Sequence, residues 1–202
     1  RSQVRAYASF QKKTHLVGAS DTEANMENLR LTLANNYYKN SMDRMPRLRA
    51  GSAHVFNCIL DAADIYELKN SLTDDYAIKK IVSNGAISTC GASVLLENCY
   101  INGIMKALIS GNGNSAGGYI NAVDSVYYMD GVKTELKPIN NVEGGNPDDA
   151  LILDRDAFVA NLPYSDYVLR NAENLSQTMV PYAGAGTVDM SNKQWMKTQY
   201  NE

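Results

Sequence analysis

The chain has 202 residues, of which 45% are hydrophobic and 20% charged, enough for one sizeable core and unlike the composition of a disordered segment. A net charge of -3 conceals an asymmetry: residues 1–50 hold nine Lys or Arg against four Asp or Glu (+5), residues 51–202 ten against eighteen (-8). No apolar run approaches the ~18 residues that cross a bilayer, and a pI of about 5.4 with no recognisable binding motif excludes nucleic acid as the expected partner.

In chain order, the first segment of interest is Phe10-Gln11-Lys12-Lys13-Thr14-His15-Leu16-Val17-Gly18-Ala19-Ser20-Asp21. A strand is predicted over Leu29 to Tyr38, closing on Asn35-Asn36-Tyr37. Next comes Arg44-Met45-Pro46-Arg47-Leu48-Arg49-Ala50-Gly51, three guanidinium groups and one proline in eight residues, running straight into a strand over Ala53 to Leu60. Arginine presents a planar fork of donors that matches a carboxylate or phosphate, and its charge is essentially permanent. In an extended chain Arg47 and Arg49 share a face, and Pro46 marks a turn or strand edge that lets Arg44 swing round to join Arg49. The motif suits an oxyanion site, or else a solvated basic loop or structural salt-bridge cluster.

Leu60 to Ile78 reads equally as a short amphipathic helix or a long loop. Ala92 to Ile101 and Gly118 to Tyr128 are predicted strands. Pro138 interrupts any strand, and Asn140 to Asp149 reads as a polar loop. From Leu151 onward the chain is expected to pack as irregular structure along the flank of the strands. Asn36 to Asn57 is 21 residues and Asn57 to Asn98 is 41, close to twice that. A strand-bearing period of about 20 residues marks a solenoid, in which Asn36, Asn57 and Asn98 would stack into an internal ladder whose amides satisfy one another and the turn backbone. The expected fold is all-β, a solenoid of stacked strands forming a single domain over 1–202, with rungs to about 130 and a capping segment over about 131–202. Cys58, Cys90 and Cys99 are too few and odd in number for a disulfide framework, and Cys58 and Cys99 read as buried and inert.

The order and spacing of these motifs resemble the pectate lyases, and the resemblance implies that the solenoid is a right-handed parallel β-helix. That family carries a K-T-x-L-[IV]-G-x-S-D segment, a strand ending in Asn-x-[YF], an R-x-P-x-x-R-x-G loop and a [VA]-H-[VA]-[YF]-N strand. Gly91-Ala92-Ser93-Val94-Leu95-Leu96-Glu97-Asn98 looks like a further family strand, and Leu162-Pro163-Tyr164-Ser165-Asp166-Tyr167 and Tyr182-Ala183-Gly184-Ala185-Gly186 look like closing segments. The match to a point past the middle of a family member suggests a C-terminal portion of such an enzyme.

The resemblance implies calcium-assisted β-elimination of α-1,4-polygalacturonate by a secreted enzyme. By position, Arg44 takes the role of catalytic base, and Lys13 and Arg49 bind substrate carboxylates. Arg47 falls at a variable position and is expected to be solvent-facing or salt-bridged. Deprotonating an ordinary arginine at about pH 9 costs on the order of 5 kcal/mol, so an alkaline optimum is predicted, with Lys13, Arg49 and Ca²⁺ disfavouring the protonated form. The calcium ligands of the family are expected upstream of Arg1, so no metal residue is assigned, and an N-terminal portion or second chain would complete the β-helix. Asp21, Asp124 and the Asp148-Asp149 pair read as turn residues. His15 and His54 read as structural histidines. The alternatives are a pectin lyase acting on methylated polymer, disfavoured by Arg49 and by the single Trp195, and a non-catalytic β-helix that binds acidic polysaccharide.

Overall fold

The computed structural model describes residues 13–73 and 75–183. Phe10 to Lys12, Gly184 to Gly186 and Trp195 lie outside the described residues. Strands β1 (Leu16–Val17), β4 (Arg47–Arg49), β7 (Asn84–Thr89), β10 (Lys106–Gly113) and β14 (Ile139–Val142) form one sheet in the order β1-β4-β7-β10-β14. A second sheet holds β2 (Arg30–Ala34), β5 (Ser52–Phe56), β8 (Ser93–Glu97) and β11 (Tyr119–Val123). The third holds β3 (Tyr37–Lys39), β6 (Ile59–Asp61), β9 (Tyr100–Asn102) and β12 (Val126–Met129), closed by β13 (Val132–Lys133). Neighbours pair in parallel, except β12 with β13. Each coil of chain visits the three sheets in the same order, which is the expected parallel β-helix.

Strand alternation builds the core. In the second sheet Leu33, Val55 and Leu96 are stacked partners in successive strands, as are Ala53, Val94 and Ile120, and all six belong to one buried cluster. Tyr38, Leu60, Ile101 and Tyr127 stack likewise in the third sheet. Each fully buried aliphatic side chain contributes roughly 1.5–3 kcal/mol. Each long predicted strand is divided in two, because a left-handed residue turns the chain from the second sheet into the third: Asn35, Asn57, Asn98 and Asp124, at φ 55°, 51°, 49° and 49°. Asn and Asp tolerate that conformation better than other side chains with a Cβ.

Three expectations are corrected here. The register Ala34↔Phe56↔Glu97 places Asn35, not Asn36, above Asn57 and Asn98. The amides do not satisfy one another. Asn57 Nδ2 donates to Val168 O at 2.8 Å, Arg170 N donates to Asn57 Oδ1 at 2.8 Å, and Asn98 Nδ2 donates to Arg170 O at 2.7 Å. The 41-residue interval is one rung and not two, since β5 pairs directly with β8. Its extra length is helices α1 (Ala63–Ser71) and α2 (Asp75–Lys80), so the segment left open in the sequence is helical. Asp61 Oδ1 accepts from Ala63 N at 3.1 Å to start α1, and Ile65 fixes the insertion to the core. Lastly, Asn140 to Val142 is not loop: Pro138 stands just before β14, where its missing N–H costs nothing.

The C-terminal segment lies along the second sheet. Helix α3 (Arg155–Ala160) is capped by Asp154, whose side chain accepts from Asp156 N and Ala157 N. Beyond irregular chain to Arg170, α4 (Leu175–Met179) seats Leu175 against Ile59. This segment covers the outward residues of the second sheet, which explains a buried polar network there. His54 and Glu97, each only 1% exposed, lie 2.8 Å apart, Nε2 to Oε2. Glu97 also accepts from Arg155 Nε at 2.8 Å and Tyr167 Oη at 2.9 Å, while His54 Nδ1 meets Tyr164 Oη at 2.9 Å. His15 meets Tyr38 Oη through Nε2 at 3.1 Å. Both histidines are thus satisfied within the fold, as expected.

Candidate functional site

The arginine motif occupies the turn from the third sheet into the first. Arg44 has φ 68°, a left-handed conformation that costs a residue with a Cβ roughly 1–2 kcal/mol. Its backbone is clamped from both neighbouring rungs: His15 N donates to Arg44 O at 3.0 Å, and Met45 N donates to Gly85 O at 2.9 Å. The Thr14 hydroxyl also donates to Arg44 O. Met45 is fully buried, so the turn is pinned from within and the Arg44 side chain is directed by it. Arg44 Nε lies 3.5 Å from Asp43 Oδ2 and is buried without a hydrogen-bond partner. Asp43 Oδ1 accepts from Asn84 Nδ2 at 3.1 Å.

Arg49 is held at the other end of β4. Its Nε donates to Asp21 Oδ1 at 2.7 Å and its Nη1 to Gly18 O at 2.9 Å. Gly18, at φ 96°, has no alternative residue type: a Cβ there would stand 2.8 Å from Arg49 Cβ. The nearby polar groups of Ser115, Arg49 and Cys90 hold the Asp21 carboxyl below the usual carboxylate range despite some desolvation. Asp21 is therefore more than the turn residue expected from the sequence. It orients a site arginine.

Arg47 is neither solvent-facing nor salt-bridged, which corrects the second expectation for this loop. It is 8% exposed, and its Nη2 donates to Ser115 Oγ at 2.7 Å. Its Nε is buried with no partner. Register places it beside Leu16 in β1 and Ile87 in β7, so its aliphatic stem runs between apolar neighbours. Burial first, then the charges of Arg49 and Arg44, push its pKa below the ordinary arginine value.

Lys13 is exposed and forms a parallel bridge with Asp43, which sets it in the rung next to Arg44. The sequence-predicted Lys13, Arg44 and Arg49 are thus carried on two adjacent coils, about 4.8 Å apart along the solenoid. Asp124 and the Asp148-Asp149 pair are turn residues, as expected: Asp124 has φ 49°, and Asp149 N bonds Asn146 O at 3.1 Å. Cys58 and Cys99 are free and buried. Among the described residues no group of three or more His, Cys, Asp or Glu is gathered to hold a metal ion. The described residues do not fit a calcium site. Ser115, Asp21 and Arg47 were not legible as a set, because they come from three different rungs; the Gly-Asn-Gly-Asn-Ser-Ala-Gly-Gly run around Ser115 signals only a loop.

The chain is a parallel β-helix that carries three arginines where it passes from its third sheet into its first. Comparison with known proteins finds similarity to pectate lyases. A pectate lyase family model matches residues 4–75. Pectate lyase B of Paenibacillus amylolyticus is 43% identical over 112 residues, 52% of this chain and 29% of that protein. The solved structure of a pectate lyase from Paenibacillus sp. 0602 is 32% identical, with a TM-score of 0.71 over 94% of this chain and 46% of its own. Pectate lyase II of Xanthomonas campestris, at 18% identity and a TM-score of 0.52, shares the fold. In sequence and in fold the chain is similar to pectate lyases, and the right-handed parallel β-helix is confirmed. It spans under half the length of these structures and under a third of the curated relative.

Proposed function

We propose that the protein is a pectate lyase that cleaves the α-1,4 bonds of polygalacturonate by β-elimination. Arg44 takes the proton from C5, next to the uronate carboxylate. The C5–H electron pair forms the C4–C5 double bond, the C4–O bond breaks, and the departing oxygen acquires a proton from water. Arg49 and Lys13 bind carboxylates of the substrate, where negative charge accumulates as C5 loses its proton, so they stabilise the transition state more than the ground state. The observation that carries this reading is the treatment of Arg44: an arginine fixed in a left-handed turn by three backbone clamps, with a buried Nε that makes no hydrogen bond. Strain of this kind collects at functional sites.

The chain is proposed to form one domain, completed by an N-terminal portion or a second chain, and to act outside the cell, where its polymer substrate is found. Among the described residues no helix is long and apolar enough to cross a membrane. Calcium, which the resemblance implies, would have to be held by groups other than the described residues. The test is release of unsaturated product from polygalacturonate at alkaline pH, followed by ultraviolet absorbance, with a chelator and Arg44→Ala as controls. Product that disappears in both controls supports the reading. Retained binding with no product from pectate or methylated pectin replaces it with a non-catalytic polysaccharide-binding β-helix.

A further inference from the structure

The three arginines of the motif share two carboxylates. Asp21 pairs with Arg49 at 2.7 Å and Asp43 with Arg44 at 3.5 Å. No described carboxylate lies within ion-pair distance of Arg47, although Asp21 and Asp43 act on its charge from further off, and its guanidinium donates to the neutral hydroxyl of Ser115. Buried guanidinium groups are ordinarily paired, since an isolated charge is costly to desolvate. Here a guanidinium without an ion-pair partner among the described residues is buried, in register with Leu16 and Ile87 and close enough to Arg44 and Arg49 to feel their charges. Ser115 thus holds Arg47 at 2.7 Å as Asp21 holds Arg49 at 2.7 Å.

From this geometry we infer that Arg47 is a specificity-determining residue: its fixed, unneutralised charge makes the site electrostatically complete only when an ionised uronate carboxylate is bound. The inference rests on the pectate-lyase reading and deepens it. A methyl ester has the shape of the acid without the charge, and so forgoes the attraction of Arg47 together with the ion pairs to Arg49 and Lys13; a charge change at Arg47 alone therefore alters the acid-to-ester ratio and does not abolish it. Charge buried in apolar surroundings is poorly screened, so Arg47 acts on the ligand without touching it. Ser115 keeps the guanidinium in place.

The experiment is calorimetric titration of the full-length protein with trigalacturonate and with its methyl ester, alongside the lyase assay on pectate and on methylated pectin. Arg47→Gln removes the charge and retains an amide that can reach Ser115. It is expected to weaken trigalacturonate about tenfold, through loss of a poorly screened attraction over a distance, and to leave the ester unchanged. Arg47→Lys, which restores the charge, is expected to recover most of the preference for the acid. Equal weakening of both ligands, or no change in either, would overturn the inference and leave Arg47 a structural residue. Absence of lyase product from the wild type would refute the proposed activity, while the acid-to-ester binding ratio still decides the role of Arg47. A wild type that binds neither ligand overturns both.

Discussion

Replacing Glu97 with Gln tests whether the buried polar network holds the C-terminal segment to the solenoid. Glu97 is 1% exposed and accepts from His54, Tyr167 and Arg155 at 2.8, 2.9 and 2.8 Å. Hydrogen bonds to a charged acceptor contribute about 1.5–3 kcal/mol and neutral ones about 0.5–1.5, so each of the two buried donors loses roughly 1 kcal/mol. The new amide adds a donor where donors already converge. Arg155 is 36% exposed in its side chain and can turn to water, so it adds little. Together the loss is about 2–3 kcal/mol.

That loss should depend on pH. Burial drives the Glu97 pKa up, but the bonds from Arg155, Tyr167 and His54 outweigh it and hold the carboxyl below its usual range. Burial lowers the His54 pKa in spite of Glu97. Both groups bind fewer protons folded than unfolded, so both stabilise at higher pH. The His54 contribution is lost as pH falls below ~6.5, and that of Glu97 as pH falls below ~4.3 and through its lowered folded value. Urea unfolding of wild type and Glu97→Gln at pH 7.5 and pH 3.5 measures both effects. The variant should lie about 2–3 kcal/mol below wild type at pH 7.5, with the gap narrowing in acid. A difference under about 0.5 kcal/mol at pH 7.5, or a gap that does not change with pH, would refute this reasoning.

Asn57→Ala loses two hydrogen bonds to residues 168 and 170 and adopts φ 51° without a tolerant side chain, so a loss of about 3 kcal/mol is expected. Asn57→Gly removes the bonds without the conformational cost and should lose about 2, with thermal unfolding separating the two. Gly85→Ala would bring a Cβ within 2.2 Å of Ala107 O and should cost more than about 2 kcal/mol by chemical denaturation, whereas Gly91→Ala, at φ 72° in open space, should cost about 1. Arg44→Lys keeps the positive charge and loses the positioned guanidine; kcat should fall about 10²–10⁴-fold with substrate affinity largely retained, as read by single-turnover kinetics.

Much of the fold was legible because strand alternation and motif order are local properties. The register of the asparagine ladder was not: Asn35 and Asn36 are adjacent identical residues, and only the pairing of Ala34 with Phe56 decides which one takes the left-handed turn. Lys13, Arg44 and Arg49 could be read from the motif, whereas the burial of Arg47 depends on β1 and β7 and on a serine 68 residues away. Glu97 likewise reads as one acid closing an apolar strand until Arg155, 58 residues later, is brought to it. Polar contacts such as these, between residues far apart in the chain, leave no local trace in either partner.

The rung that carries α1 and α2 is nearly twice the length of the one before it, yet β5 and β8 pair without a register shift. The coil counts strands and ignores residues. This corner is adjacent to Arg44, since Asn84, at the exit from the insertion, bonds Asp43. The architecture can therefore lengthen the chain between β6 and β7, beside Arg44, without moving the strands that carry the arginines, provided the core positions Ile65 and Ile81 are kept.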